Sequence, residues 1–506
     1  MSAVALLPVS LVLTLGFAAA PVRTPSLTPA ERAAMARISA DSLRGRLSFL
    51  SSDLLEGRDT PSSGLDIAAA YIASGFRRAG LEPGGDDGYL QTAHLVETRA
   101  NPRGFELTLS NGNRKASVGP ESASLSVFRE LHLKRVPVYK LDLSARNLEE
   151  QVHGGDMNGR VVLMQGPTRK LLGPLRKVFA ILRSANPDVI VMVGGDGLGI
   201  PEGVRLREEG RGEGTGAYFA DSIVHVTDAG IAEFFASLPA GKTQALVTIN
   251  VSAPTQTPVK VHNVIGILRG SDPALKDTCV LVTAHYDHLG LKPPGPGDRI
   301  YNGANDDGSG TVSVMELADA LAASRVRPRR SVVFITFYGE EKGVLGSRYY
   351  AEHPVFPLGK TVADINLEQM GRTDSTEGPQ IANASVTGFG YSTVTDTLEL
   401  AGRLTGIRVY KHPKNSDAYF ALSDNQALAD AGVPAHTLCV AFDYPDYHGV
   451  GDEWTKIDYN NMAKVDRMVA VALLRLANSA RAPEWSATNP LAARYLETRR
   501  STMRGR

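Results

Sequence analysis

Five apolar runs rich in β-branched residues recur in the second half of the chain, and each ends in polar residues. They begin after Val259 and read VHNVIGILRG, CVLVTAHYDHLG, SVVFITFYGEE, VADINLEQMG and PAHTLCVAFDYPDYH. Helix-like segments such as Ser309–Ser324 lie between several of them. Continuous apolar strands that alternate with helices predict a largely parallel sheet covered on both faces. We therefore expect an α/β fold with three layers and a mixed, mostly parallel sheet.

The first half of the chain has a different texture. In residues 30–104, Ser62 or Ser63 can begin a helix that ends at Gly80. From Phe105 to Val251 the pattern changes to short strand-like runs, with one helical stretch around Leu171–Ser184. This pattern predicts a small α+β domain inserted at residues 105–252.

The remaining residues divide into a core at 253–482 and a C-terminal tail at 483–506. An amphipathic helix is expected from about Tyr459 to Asn478, near the end of the core. The tail ends in RRSTMRGR, which we expect to be loose.

Composition and the N-terminus restrict the function classes. The 506 residues carry a net charge of zero, with no long basic or acidic block, which argues against binding to nucleic acid or an anionic membrane surface. Two cysteines, Cys279 and Cys439, exclude a disulfide framework and are expected to be buried. The apolar run Ala3–Ala20 predicts a signal peptide over residues 1–20, cleaved after Ala18, and an extracytoplasmic (periplasmic or secreted) protein. A retained membrane anchor is the alternative.

The polar residues that follow the predicted strands are the candidates for a functional site, because ligands bind beyond the carboxyl ends of such strands. Each has an ordinary explanation when it is taken alone: an aspartate pair can form a turn and a helix cap, and a glutamate pair can complement a helix start. Gathered at one sheet edge, however, the carboxylates would repel one another unless cations neutralised them. The candidates are His285, Asp287, His288, Asp306, Asp307, Glu340, Glu341, Glu368 and His448.

Two zinc ions would solve this charge problem. Asp306, Glu341 and Glu368 contribute three negative charges, and a bridging hydroxide a fourth. Imidazole and carboxylate ligands suit zinc, and shared ligands hold two ions about 3.5–4 Å apart in two-metal hydrolases. Neighbouring residues that leave a strand point in different directions. Glu341 is therefore expected to ligate and Glu340 to face the water as a general base.

These residues resemble the pattern of the M28 peptidase clan of zinc aminopeptidases and carboxypeptidases. The clan's motifs occur in order over roughly Val259–Asn478, and the set of five is highly specific. The pieces EGRDTPSSG and AGLEPGG resemble the N-terminal helical part of the same catalytic domain, and MNGRVVLMQGP with PDVIVMVGG resembles a protease-associated insert. The five motifs are His285-Tyr-Asp287, Asp306-Asp-Gly-Ser-Gly310, Glu340-Glu341, Asn366-Leu-Glu368 and Tyr447-His448.

The resemblance implies a phosphorylase/hydrolase-like fold and a role for each matched residue. Asp306 would bridge two zinc ions, with His285 and Glu368 completing one site and Glu341 and His448 the other. It further implies that Asp287 orients the ring of His285, that Tyr447 steadies the oxyanion, and that the peptide after Asp306 is cis.

The sequence departs from the pattern at one ligand. INLEQMG has an extra residue between Glu368 and Met370, and many members have Asp where Glu368 stands, so Asp364 is the fallback ligand. His436 and His412 are weaker rivals of His448, because neither follows a tyrosine there.

The predicted activity is that of a secreted or periplasmic di-zinc exopeptidase acting on peptide substrates, with an aminopeptidase favoured over a carboxypeptidase. Two other classes remain open. One is a single-zinc acyltransferase of the glutaminyl-cyclase type, and the other is a receptor-like binding module that has lost its metals. A measured stoichiometry of one zinc would favour the acyltransferase.

Overall fold

The structure is a computed structural model, and it describes residues 25–143, 157–166, 178, 182, 185, 187–195, 203–210, 222–292, 294–324 and 326–504. The predicted signal peptide and most of the helical stretch around Leu171–Ser184 lie outside these ranges. The strands are β1 Glu82–Pro83, β2 Leu90–Asn111, β3 Arg114–Val118, β4 Ala123–Val127, β5 Leu131–Leu141, β6 Val161–Gln165, β7 Val189–Val193, β8 Val204–Glu208, β9 Ser222–Val226, β10 Gly241–Leu268, β11 Cys279–His285, β12 Gly290–Leu291, β13 Ile300–Tyr301, β14 Ser331–Phe337, β15 Thr361–Glu368, β16 Asn383–Val386, β17 Arg408–Tyr410 and β18 Ala435–Cys439.

The helices of the described residues follow the same chain order. They are α1 Pro29–Met35, α2 Ala40–Leu50, α3 Ser63–Arg78, α4 Ala229–Ser237, α5 Gly310–Ala322, α6 Leu345–Glu352, α7 Val394–Thr405, α8 Asn415–Ala418, α9 Asn425–Asp430, α10 Tyr459–Asn478 and α11 Ala493–Arg504.

One sheet runs through the molecule, in the order β17-β16-β18-β15-β11-β14-β10-β5-β6-β7-β9-β4. Strand β11 is parallel to β14 and β15, and β15 is parallel to β18. Strand β10 joins β14 in the antiparallel sense. The predicted mixed, mostly parallel sheet is therefore confirmed.

Helices cover both faces of the β11–β14–β15–β18 region, because alternate residues of each strand point to opposite sides. Val280 and Val282 of β11 pack in one apolar cluster with α3, α5 and α10. Cys279 and Leu281 pack in another, with α9 and α11. The two faces together make the three layers expected from the continuous apolar runs.

Two long strands, β2 and β10, run from this region into the predicted insert. They pair with each other in the antiparallel sense along most of their lengths, with bulges near Asn250 and Ser252. Strands β5, β6, β7 and β9 then form a second parallel stack beyond β10. An apolar cluster made only of residues between Phe105 and Val251 lies against this stack.

Three predicted helices are confirmed, and the prediction of a loose tail is wrong. Helix α3 begins after the N-cap Ser62, whose side chain accepts a hydrogen bond from the backbone N–H of Leu65. Helices α5 and α10 lie where the periodicity placed them. The tail is not loose: α11 is helical and Tyr495 is buried in the cluster beside Trp485. Its apolar contacts hold a segment that a basic composition alone would leave unstructured.

The two cysteines are free and buried, as predicted. Among the described residues, no helix combines the length and the apolarity that a membrane span requires.

Candidate metal centre

The candidate residues meet at the carboxyl edge of the parallel strands. His285 is the last residue of β11 and pairs in register with Phe337, the last residue of β14. Glu368 is the last residue of β15, and Glu341 lies four residues beyond the end of β14. Because these strands are parallel neighbours, their carboxyl ends lie at the same edge.

The first group of potential ligands surrounds the ring of His285. Its Nε2 lies 3.4 Å from Oδ1 of Asp306 and 3.7 Å from Oε1 of Glu368. These three donor atoms all lie within 4.8 Å of one another. The separations of 3.4 and 3.7 Å are typical of two atoms that bind the same zinc ion.

The second group uses the other oxygen of Asp306. Nε2 of His448 lies 3.1 Å from Asp306 Oδ2 and 3.5 Å from Glu341 Oε1. A further imidazole, His288, places its Nδ1 2.8 Å from the same Glu341 oxygen. Asp306 therefore contributes one oxygen to each of two adjacent groups.

The donor atoms of these groups lack hydrogen-bond partners. Nε2 of His285, Oδ2 of Asp306, Oε1 of Glu341 and both ring nitrogens of His288 are buried without one, among the residues that the structure describes. An unpaired buried polar atom is costly, and a bound cation would satisfy several of these at once. The donor set of imidazole and carboxylate fits two zinc ions.

The adjacent aspartates Asp306 and Asp307 have different partners. Asp307 Oδ1 accepts hydrogen bonds from the backbone N–H of Gly310 and of Gln369, both at 3.0 Å. It thus ties the start of α5 to the end of β15. Within the described part of the chain, the carboxylate of Asp306 accepts no backbone N–H and faces the two groups. The peptide bond between the two residues is cis, as the family resemblance implied.

Glu340 is half-buried beside the centre and belongs to neither group. Its backbone N–H donates to Oδ1 of Asp287 at 3.1 Å. Burial raises the pKa of the Glu340 carboxyl well above its ordinary value, and the carboxylates of Glu368 and Glu341 add to the increase. A carboxylate with a raised pKa can accept and return a proton near neutral pH.

The electrostatics of the imidazoles follow from the carboxylates around them. Burial alone would lower the pKa of His285, but the nearby carboxylates of Asp287, Asp306, Glu340 and Glu368 raise it well above the ordinary value. Burial is likewise opposed at His448, where Glu341 and Asp306 raise the pKa to about 9. The raised pKa values of both histidines show that negative charge is in excess at the centre, and divalent cations would neutralise it.

A cavity of about 180 Å³ opens beside the centre. Glu368 and Tyr447 are among its lining residues, with aromatic and apolar walls formed by Tyr419, Leu422 and Phe442. The ring of Tyr447 is stacked on that of His448, with centroids 4.0 Å apart. A side chain of moderate size therefore fits next to the predicted ligands.

Comparison with known proteins agrees with this geometry. The sequence profile described as peptidase family M28 matches residues 263–473, which contain all the residues of both groups. The chain carries an M28 peptidase domain.

Individual relatives match parts of the chain. Aminopeptidase YwaD of Bacillus subtilis (strain 168) is 36% identical over 111 residues, 22% of this chain and 22% of that protein. A probable zinc metalloprotease of Pyrenophora tritici-repentis is 27% identical over 264 residues, 45% of this chain and 59% of that protein. The chain thus spans less than two thirds of the length of either relative.

A solved structure shares the fold of most of the chain. The aminopeptidase from Aneurinibacillus sp. strain AM-1 has a TM-score of 0.59 and 20% identity, covering 89% of this chain and 97% of that one.

The alternative ligands of the M28 domain lie outside both groups. Asp364 is buried within β15, where its Oδ1 accepts a hydrogen bond from the Thr283 hydroxyl at 3.1 Å. The ring of His436 lies 2.6 Å from the Ser392 hydroxyl and 2.9 Å from a backbone carbonyl. His412 likewise contacts the carbonyl of Glu377 through Nε2. The extra residue before Met370 does not displace Glu368 from the centre.

Two residues that support the centre were missed by sequence reasoning. The buried carboxylate of Asp452 accepts the backbone N–H of Asn305 at 2.9 Å and of Asp306 at 3.1 Å, and the hydroxyl of Tyr444 at 3.0 Å. It therefore joins the loop of Asp306 to the loop of His448. The only available signal was its place in YHGVGDEW, four residues after His448.

Arg58 is the second of these residues, and it is fully buried. Its guanidinium donates hydrogen bonds to the carbonyls of Tyr286, Asn302 and Gly303 at 2.7–2.9 Å. These bonds join the N-terminal segment to the loop after β11 and to the loop after β13. Burial lowers its pKa to about 10, so it remains a cation beside the carboxylates at neutral pH. The sequence signal was its place in EGRDT.

Proposed function

We propose that this chain is a di-zinc exopeptidase that works outside the cytoplasm, and specifically an aminopeptidase. The observation that carries the proposal is the shared carboxylate: Asp306 presents one oxygen to each of two ligand groups. The carboxylate of Glu340 belongs to neither group and would act as the base. Support also comes from the M28 match and from the relatives named aminopeptidase and zinc metalloprotease.

The two groups would hold one zinc ion each. His285, Asp306 and Glu368 would bind the first ion, and Asp306, Glu341 and His448 the second. Bound zinc would polarise the scissile carbonyl and lower the pKa of a water molecule. The ring of His285 would be oriented by Asp287, whose backbone carbonyl and Oδ1 lie 3.2 and 3.5 Å from Nδ1.

The remaining residues would handle protons and substrate. Glu340 would take the proton of the attacking water and return it to the leaving amine, a role that its raised pKa suits. Tyr447, which lines the cavity beside Glu368, would donate a hydrogen bond to the oxygen of the tetrahedral intermediate. The apolar walls of the cavity would receive the side chain next to the scissile bond.

The test combines metal content with a substrate panel. We expect purified protein to contain two zinc ions per chain and to release the N-terminal residue of unblocked peptides. Chelator treatment should abolish this activity, and added zinc should restore it. N-terminally acetylated peptides are the matched control and should not be cleaved.

Other results would point to the alternatives. Release of C-terminal residues from acetylated peptides would identify a carboxypeptidase. One zinc ion per chain with cyclisation of N-terminal glutamine would identify an acyltransferase, and the absence of bound metal would indicate a binding module. Sequencing the N-terminus of protein secreted by the native host tests the location, since cleavage after Ala18 is expected.

A further inference from the structure

The second ligand group contains two imidazoles, and they differ in burial. His288 has none of its surface exposed, whereas the side chain of His448 is 38% exposed. The two rings meet edge to face, with centroids 5.8 Å apart. Only His448 belongs to a motif that implies a ligand, so the role of His288 is open.

The surrounding backbone is shaped to admit the ring of His288. A Cβ atom on Gly303 would lie 2.5 Å from Cγ of His288, a separation that no real side chain would tolerate. Gly303 also has a φ of 55°, which favours glycine. On the other side, the backbone N–H of His288 donates to the carbonyl of Arg58 at 3.2 Å. The imidazole is thereby held in one place.

That place is within reach of the shared carboxylates. Nδ1 of His288 lies 2.8 Å from Glu341 Oε1, and the donor atoms of His288, Asp306 and Glu341 all lie within 4.8 Å of one another. Nδ1 nevertheless has no hydrogen-bond partner among the described residues. A buried ring nitrogen that lies this close to two carboxylates without a hydrogen bond is an arrangement that a cation would complete.

We propose that His288, through Nδ1, is a further protein ligand of the second metal ion. This inference rests on the proposed function. It gives the second ion four protein ligands, Asp306, Glu341, His448 and His288, while the first ion has three. Four protein ligands close a tetrahedral zinc site, and three leave a position open for water or substrate. The two positions are therefore unequal: the first is built for exchange with substrate and the second for retention of the metal.

The competing interpretation is that His288 contacts only Glu341 and orients it. Loss of such an outer partner weakens metal binding by roughly 10–100-fold. Loss of a direct ligand should exceed that range. The distinction is sharpest when His448 is already absent, because His288 is then the last imidazole of the group.

The experiment measures zinc affinity at both positions in four proteins: wild type, H448A, H288A/H448A and H436A. Titration against a chelator of known affinity gives the number of ions and each Kd without using activity. His436 is the matched control, since its ring is also fully buried but contacts Ser392 and a backbone carbonyl. We expect H436A to keep both ions with unchanged affinity.

We expect H448A to keep two ions, because Asp306, Glu341 and His288 remain. The double variant should bind its second ion at least about 100-fold more weakly than H448A, beyond the range for an outer partner. A smaller difference, or loss of the second ion from H448A alone, would overturn the inference. If wild type itself binds fewer than two ions, the proposed function fails instead.

A second measurement needs no variant. In a crystal structure of the zinc-loaded wild type, Nδ1 of His288 should lie about 2.0–2.1 Å from the second ion. A ring turned away, or hydrogen-bonded only to Glu341, would refute the assignment even if the double variant does not fold.

Discussion

The insert and the M28 domain each place an aspartate at the start of a helix, but the M28 domain has a second, adjacent aspartate that does not serve the helix. In the insert, Asp228 follows β9, and its Oδ1 accepts the backbone N–H of Ile231 at 2.9 Å, so it caps α4. In the M28 domain, Asp307 accepts the N–H of Gly310 before α5. One carboxylate is enough for the start of a helix. The additional one, Asp306, is left for the metal centre.

The strand ends themselves differ in the same way. The described parallel strands β6, β7 and β9 of the insert end in Gln165, Val193 and Val226, which carry no charge. Of the parallel strands in the M28 domain, β11 and β15 end in His285 and Glu368, whereas β14 and β18 end in Phe337 and Cys439 and are followed in the loops by Glu341 and His448. Both regions bury apolar strands in the same manner. The potential metal ligands therefore lie at strand ends and in the loops beyond them, and not in the strand interiors.

The strongest test of this comparison replaces one aspartate by asparagine in each of the two regions. D306N removes a shared charge from both ligand groups, so we expect loss of both zinc ions and of all measurable peptidase activity. D228N should change neither, because asparagine caps a helix as well as aspartate does. Zinc content and initial rates measure both. Two retained zinc ions in D306N would contradict the role of Asp306.

The next largest effect is expected at Glu340. E340Q keeps the size of the side chain but cannot accept a proton, so turnover should fall by roughly 10²–10⁴-fold. Both zinc ions should remain, because Glu340 belongs to neither ligand group. Steady-state kinetics with parallel metal analysis separates the two effects. Full activity in E340Q would show that another group is the base.

A smaller effect is expected at Asp452, which supports the centre without entering it. D452N keeps an acceptor oxygen but loses the negative charge that receives the N–H groups of Asn305 and Asp306. We expect zinc affinity to fall by roughly 10–100-fold, the range typical of residues that orient metal ligands. Chelator titration measures the change, with D228N as the Asp-to-Asn control. Unchanged affinity would reduce Asp452 to a purely structural link.

The smallest effect concerns a buried carboxyl of the M28 domain that has no metal partner. Asp466 of α10 is fully buried, and burial raises its pKa to about 8. The folded protein therefore keeps a proton that the unfolded chain releases above about pH 4. This contribution to stability is complete below the unfolded pKa and is lost as the pH rises through the folded one.

D466N removes this titration. We expect its unfolding temperature to depend less on pH than that of wild type between about pH 5 and 8, and to be relatively higher near pH 8. Calorimetry across that range measures the difference. Parallel pH profiles for the two proteins would show that Asp466 is not protonated in the folded state.

Much of the fold was predictable because it follows from periodicity. The continuous apolar runs predicted a covered, mostly parallel sheet, and the caps and amphipathic faces located α3, α5 and α10. Helix α11 was missed because its residues are mostly polar and basic. Its structure depends on Tyr495 packing beside Trp485, a tertiary contact that local pattern does not reveal.

The sequence alone determined which chemical groups would gather. Parallel strands that end in donors must bring those donors to one edge, whatever the loops between them do. Only the tertiary structure decided which of two similar residues faces the centre. Asp307 lies at the helix start and Asp306 at the centre. Asp364 lies inside the strand, whereas Glu368 lies at its end. The positions of His288 and Asp452 beside the centre were likewise decided by the tertiary structure. Side-chain direction beyond a strand end depends on contacts from loops far away in the chain, and no local pattern records those contacts.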